Sequence, residues 1–310
     1  MSRSKRTAGE QAIPAPRRKN IWSAGDGGMR TGWLLAASLF GYALVTLATR
    51  YGLIRAFGAL FSAWGVDASN IHRAPAWARA VYVWHGSIAT LVYSAATLAL
   101  SGVLRRLWGL AGRVIDPPDG RLWRATLAGV LGTAVVAVVC LLPDSMRLEW
   151  PLTSPRLGWQ LPVMAAVSLL SALAGEAFTK RVLYDGLRRR WGGLWATATV
   201  CGVFFLAAGG LTGNVISAVN TALMGLACCL LYDRHGLWTA VGFRWGWSLG
   251  NVFLLGFGGG ETAVYRLYGV SEALLTGGDA GPMHGLWATL ALTLMIVALA
   301  RRPGRRAAED

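Results

Sequence analysis

Long apolar runs separated by short polar segments dominate this sequence of 310 residues. A helix that crosses a hydrocarbon core about 30 Å thick needs about 20 apolar residues. Eight runs approach that length, and we predict a helix for each: 31–49, 81–104, 125–142, 159–187, 193–211, 215–232, 237–257 and 285–300. The pattern therefore predicts an all-α fold class, a polytopic transmembrane helix bundle with about eight membrane-spanning helices.

Two local features refine this bundle. The segment from Tyr51 to Gly65 mixes apolar residues with Arg55, which predicts an amphipathic helix lying on the outer surface of the membrane. Only a few residues separate the fifth and sixth apolar runs, which predicts a tight helical hairpin.

Composition supports a lipid environment. Hydrophobic residues make up 54% of the chain and charged residues only 15%, which is unusual for a soluble domain. A net charge of +15 would indicate nucleic acid as the partner of a soluble protein. Here the basic residues cluster at helix ends, where they face anionic headgroups, so we predict the lipid bilayer and no nucleic acid as partner.

The distribution of Lys and Arg predicts an orientation. With both termini in the cytoplasm, the inner side holds 20 of these residues and the outer side 7. Positive charge concentrates in cytoplasmic segments, so we predict an integral protein of the cell (plasma) membrane with both termini cytoplasmic. The first apolar run begins only at position 31, and no cleavable secretion signal is evident.

The chain divides into four predicted regions. Residues 1–30 form a disordered basic cytoplasmic arm, and residues 31–156 form the N-terminal transmembrane helices. Residues 157–300 form a transmembrane core, and residues 301–310 form a basic cytoplasmic tail.

Four charged residues interrupt the fourth run: Glu176, Lys180, Arg181 and Asp185. A charge inside lipid costs roughly 2.5–3.5 kcal/mol on insertion scales, so such residues mark a functional site or an internal ion pair. Glu176 and Lys180 share a helix face, whereas Arg181 points elsewhere and needs a partner on another helix. The structural alternative is a neutralising Glu176–Lys180 pair, with Arg181 extending to the headgroups.

Two further polar positions fall in the same layer of the bundle. The fifth run contains Phe204-Phe205-Leu-Ala-Ala-Gly209, and the seventh contains Gly242-Phe-Arg244-Trp-Gly-Trp-Ser248-Leu-Gly-Asn251. Arg244 and Ser248 are four residues apart and so share a helix face. We expect these segments to line one cavity with Glu176.

These three ordered segments resemble the motifs of the CPBP family, the type II CAAX prenyl endopeptidase-like intramembrane metalloproteases. The family's Glu-Glu-x-x-x-Arg motif is similar to Glu176 through Arg181, with Ala177 in place of the second Glu. Its Phe-x-x-x-His motif is similar to Phe205 through Gly209, with Gly209 in place of His. Its His-x-x-x-Asn motif resembles Arg244 through Ser248, with Arg for His and Ser for Asn.

The resemblance implies peptide-bond hydrolysis in or near the membrane, with a glutamate and a histidine activating water and a metal assisting. The degenerate motif positions Glu176, Arg181, Arg244, Ser248, Ala177 and Gly209 are therefore the candidate catalytic residues. Both motif histidines are missing, and a single secure carboxylate falls short of the three or four ligands that zinc usually takes. His85 and His284 are the candidates for a replacement ligand.

We therefore expect a family member with lost or greatly reduced proteolysis, a pseudoenzyme. An ion pair of Glu176 with Arg244 or Arg181 would close the former catalytic cavity. No cofactor is predicted, and zinc is expected only if the family chemistry is retained. A binding or scaffolding role is favoured, with a membrane protein, a peptide or a prenylated ligand as partner. The alternatives are an active glutamate-dependent endopeptidase and, third, a small-solute transporter.

Overall fold

Eight long helices lie in the part of the chain that the structure describes, one for each predicted apolar run. The computed structural model describes residues 30–66, 75–141, 146–149, 160–210, 213–255, 266–269, 273–278 and 281–301. All but one residue of the predicted N-terminal arm, and all but one residue of the predicted C-terminal tail, lie outside these ranges. The helices are α1 (Thr31–Ala63), α2 (Ala76–Leu107), α3 (Arg121–Leu141), α4 (160–191), α5 (Gly193–Ala207), α6 (Val215–His235), α7 (237–254) and α8 (Leu286–Ala300).

The all-α polytopic bundle is confirmed. Five of the helices are long and apolar enough to cross a membrane: α1, α2, α3, α4 and α6. Helices α5 and α8 are apolar but have only 15 residues each. At a rise of 1.5 Å per residue, each of these two helices is shorter than a hydrocarbon core about 30 Å thick. Neither helix alone therefore crosses the core, and neighbouring segments must complete the crossing.

Short elements connect the later helices. Strand β1 (Met146–Glu149) pairs antiparallel with β2 (Arg266–Gly269), with Met146 opposite Gly269. A single helical turn, Ala273–Thr276, and a 3₁₀ turn, Pro282–His284, precede α8. The sequence analysis predicted no strand in these connections.

The helix predicted from Tyr51 to Gly65 is present, and it continues directly from the helix of the first apolar run. The chain continues from Thr31 to Ala63 as one helix, through a π-helical stretch at Leu47–Gly52. The region holds no proline, and a single glycine in a helix costs only about 1 kcal/mol, so nothing stops the helix there. The segment therefore extends α1, and its position on the outer surface of the membrane stays a prediction.

Helices α5 and α6 form the predicted hairpin. Helix α5 ends at Ala207, earlier than position 211, and Gly209 takes a positive φ of 76° in the turn that follows. Helix α6 then begins after Asn214, whose side chain accepts a hydrogen bond from the backbone N–H of Ser217 at 3.1 Å. This N-cap satisfies one of the free donors at the start of the helix.

Glycines bring α3 and α7 into direct backbone contact. Gly242, Gly246 and Gly250 recur every four residues on α7, and each has no room for a Cβ atom against α3. A Cβ on Gly246 would overlap the carbonyl oxygen of Thr126, and one on Gly250 would lie 2.6 Å from the Cβ of Thr133. Small residues at such spacing let membrane helices pack closely. This contact fixes the position of α7, which carries Arg244.

We expect Gly246→Ala to destabilise the protein by about 1–3 kcal/mol, because its methyl group forces α3 and α7 apart. Gly202→Ala is the matched control, because Gly202 lies within α5 and a Cβ there would meet no atom within 4 Å. The control should be neutral or slightly stabilising, since alanine favours helix over glycine. Thermal unfolding in detergent measures both, and equal effects would contradict the packing argument.

Candidate functional site

A π-helical stretch interrupts α4 where the charged residues lie. The α-helix ends at Glu176, and Ala177–Tyr184 continues with the wider π-helical turn before α-helical geometry resumes at Asp185. Such insertions occur frequently at functional sites. Two further π-helical stretches in the described residues, Leu47–Gly52 and Leu249–Leu254, each contribute one residue to the cavity described below.

One carboxylate lies between two cations. The Arg244 Nη1 of α7 donates to Glu176 Oε1 at 2.8 Å, and Lys180 Nζ lies 3.2 Å from Glu176 Oε2. The side chains of Glu176 and Lys180 are fully buried, whereas that of Arg244 is 33% exposed. Isolated charges are not stable in such an interior, so the three groups must be retained together. We call Glu176, Lys180 and Arg244 the charge cluster.

An aromatic ring completes the charge cluster. The Phe204 ring centroid lies 5.2 Å from Lys180 Nζ and 4.9 Å from Arg244 Cζ, so both cations contact the π-system. Gly225 on α6 makes this possible, because a Cβ there would lie 2.7 Å from the Phe204 ring. The sequence analysis named both Phe204 and Phe205 but placed Phe205, and not Phe204, in the family motif. The sequence shows two adjacent phenylalanines at this point, but it does not show which of them faces α4.

Arg181 does not join the charge cluster. Its guanidinium forms an ion pair with Asp116, and it also lies 5.7 Å from the ring centroid of Tyr232. Arg181 thus contacts an aromatic ring on another helix, α6, whereas its carboxylate partner Asp116 belongs to the connection between α2 and α3. Of the two predicted ion pairs of Glu176, the one with Arg244 is present and the one with Arg181 is not. Arg181 does not line the cavity described below.

A cavity of about 820 Å³ opens on the other side of Arg244, between α1, α2, α4 and α7. Its wall mixes apolar residues with hydroxyl groups and includes Tyr51, Ile54, His85, Thr90, Met164, Val167, Ser168, Ser171, Arg244 and Ser248. Arg244 and Ser248 thus share this cavity, as their spacing predicted. Glu176 is fully buried behind the Arg244 guanidinium, so the arginine and not the carboxylate faces the cavity.

The remaining candidate residues lie apart from the charge cluster. Ala177 is fully buried at the start of the π-helical stretch, and Gly209 occupies the turn after α5. His85 lies on the cavity wall, where its Nδ1 hydrogen-bonds to the carbonyl oxygen of Tyr82. His284 lies in the 3₁₀ turn before α8, and its buried Nδ1 has no hydrogen-bond partner.

The residues present do not fit a zinc ion. Zinc sites take three or four ligands from Cys, His, Asp and Glu. Within the described ranges, no three such side chains lie close enough together to hold a metal. The one carboxylate of the charge cluster is already paired with two cations, which would repel a divalent metal. We therefore derive no chemical step through a metal here.

Removing the charge of Glu176 should lower the free energy of unfolding more than removing the charge of Lys180. Glu176→Gln leaves two cations facing each other, and we expect a loss of about 3–5 kcal/mol in the free energy of unfolding. Lys180→Met keeps the Glu176–Arg244 pair and should cost clearly less. The double variant should recover part of the loss of Glu176→Gln. Chemical unfolding in detergent measures all three, and equal losses for the two single variants would contradict this asymmetry.

The comparison with known proteins agrees with the ordered motifs. Residues 157–250 match the family model described as Type II CAAX prenyl endopeptidase Rce1-like, which is just under a third of the chain. No curated protein and no solved structure matches the chain significantly. The matched segment contains the whole charge cluster, Phe204 and Ser248. This match supports membership of the type II CAAX prenyl endopeptidase-like family over residues 157–250.

Proposed function

We propose that this protein binds a membrane ligand in its cavity without cleaving it, as a family member with lost or greatly reduced proteolysis. The observation that carries the proposal is the position of Arg244, which pairs with Glu176 at 2.8 Å and separates it from the cavity. A general base must reach the water from which it takes a proton. A buried carboxylate held by two cations is a structural anion, so it lacks that access.

The cavity supports a ligand with one anionic group. One carboxylate against two cations leaves the charge cluster with a net positive charge, and Arg244 is the member exposed to the cavity. Arginine recognises carboxylates with paired, charge-assisted hydrogen bonds. Ser248 lies one helical turn further along α7 on the same wall and adds a hydroxyl group.

The rest of the wall suits an apolar chain. Tyr51, Ile54, Met164 and Val167 supply apolar surface, and the volume of about 820 Å³ falls within the range of ordinary ligand pockets. A prenylated peptide with a free carboxyl end combines both chemistries, and it is the ligand class that the family suggests. We propose Arg244 and Ser248 as the residues that hold its carboxylate.

The distribution of Lys and Arg supports an orientation of the site in the membrane. We propose that residues 157–300 form the ligand-binding core and that the N-terminal helices supply the cavity walls from α1 and α2. We further propose that the end of the bundle rich in arginine, which includes Arg105, Arg106 and 188–190, faces the cytoplasm of the cell membrane with both termini. The support is the excess of Lys and Arg on that side.

Binding of a farnesylated peptide tests this function. We expect the free-acid peptide to bind detergent-purified protein about 10- to 100-fold more tightly than the same peptide amidated at its carboxyl end, since one charge-assisted hydrogen bond is lost. Ile54→Trp should weaken binding by filling the cavity, because Ile54 is on its wall and 46% exposed.

Leu60→Trp is the matched control for Ile54→Trp. Leu60 is also in α1 and is 38% exposed, but it does not line the cavity. Equal binding of the acid and amide peptides would remove the proposed role of Arg244. Equal effects of the two tryptophan variants would place the ligand outside the cavity.

A further inference from the structure

A second pocket lies at the opposite end of α4 from the cavity that Arg244 and Ser248 line. It encloses about 490 Å³ and is lined by Arg105, Ala111, Arg181, Asp185, Arg188, Arg189 and Tyr232. Four arginines thus face one aspartate in a space large enough for a small ligand. We call it the arginine pocket, and the function proposed above uses none of its residues.

Arg105 forms the rigid floor of the arginine pocket. Its side chain is 7% exposed and donates to the carbonyl oxygens of Arg181 at 2.7 Å and Gly112 at 3.4 Å, and also to that of Ala111. It lies 3.6 Å from Asp185, whose carboxylate accepts a hydrogen bond from the Tyr232 hydroxyl at 2.9 Å. Residues from α2, α4 and α6 are thereby fixed in place.

Carboxylates outside the pocket wall orient two further arginines. Asp233 accepts from Arg188 Nη1 at 2.6 Å, and Asp116 pairs with Arg181. Arg181 is 15% exposed, and its Nε is buried without a hydrogen-bond partner, so this guanidinium retains donor capacity. Arg189 is exposed at the rim.

The charge of this cluster is positive when the three aspartates that contact its arginines in the described residues are counted. Four arginines meet three aspartates, of which only Asp185 lies on the pocket wall. Each guanidinium is a planar fork that matches the oxygens of a phosphate. Basic pockets between transmembrane helices are also typical sites for phosphate-bearing headgroups.

We propose that the arginine pocket binds a phosphate group, with Arg181, Arg188 and Arg189 as its ligands and Arg105 as the fixed cation behind it. The phosphate has two potential sources, an anionic lipid or a soluble phosphomonoester. The pocket lies where arginine-rich helix ends meet the membrane surface, so both sources have access to it.

Titration of the detergent-purified full chain distinguishes the two sources. We expect saturable binding of phosphatidic acid and no comparable binding of phosphatidylcholine. Glycerol 3-phosphate represents the soluble source of phosphate. If it binds as tightly as phosphatidic acid, the ligand is a soluble phosphomonoester. If it binds more weakly, the ligand is the lipid. Both results support a phosphate site, whereas no saturable binding of either compound would overturn it.

Variants locate the site. Arg189→Gln should weaken binding about fivefold, and Arg188→Gln with Arg189→Gln about 30-fold, from the usual contribution of one arginine near anionic headgroups. Arg190→Gln is the matched control, because Arg190 belongs to the same run but contacts Trp108, with its Cζ 5.7 Å from the ring centroid. Equal weakening by Arg189→Gln and Arg190→Gln would overturn the proposal in favour of diffuse attraction. The exposed position of Arg189 makes its variant independent of folding.

Discussion

The placement of one carboxylate between two cations controls the arrangement of the bundle around α4. Glu176 contacts Lys180 on its own helix and Arg244 on α7, and the Phe204 ring of α5 covers both cations. Because none of these charges is stable alone in an apolar interior, α4, α5 and α7 must meet at this point. The same contact decides which group faces the cavity, and that group is a cation.

Backbone packing makes this meeting possible. The glycines of α7 let it lie directly against the backbone of α3, and Gly225 lets Phe204 approach α6. These are contacts that any side chain would block, so they set distances between helices more narrowly than apolar side chains alone would do. The charge cluster is thus positioned by steric fit and retained by electrostatics.

The apolar pattern was sufficient to predict the helices, because the hydrocarbon thickness sets a length that can be read from any sequence. It was not sufficient to predict where helices bend or stop. The pattern predicted neither the π-helical stretch after Glu176 nor the pairing of Arg181 with Asp116, and α1 continues past Tyr51 because no residue ends it.

Candidate site residues were predictable to the extent that they were charged. Glu176 and Arg244 stood out because charge is rare in these helices, and their pairing followed from the need for neutralisation. Phe204 could not be chosen over Phe205 without knowing which face of α5 meets α4. The arginine pocket was also hidden, since its residues come from helices far apart in sequence and meet only through the fold.

The family match over residues 157–250 and the geometry of the charge cluster point in different directions, because the matched family is named for a peptidase whereas the Glu176 carboxylate here is fully buried. The most direct test measures bound zinc and cleavage of a farnesylated peptide by the purified protein, beside Glu176→Ala and Gly209→His. A sequestered Glu176 predicts no stoichiometric zinc and no cleavage in a folded sample of any of the three. Stoichiometric zinc with cleavage that is lost in Glu176→Ala would contradict it.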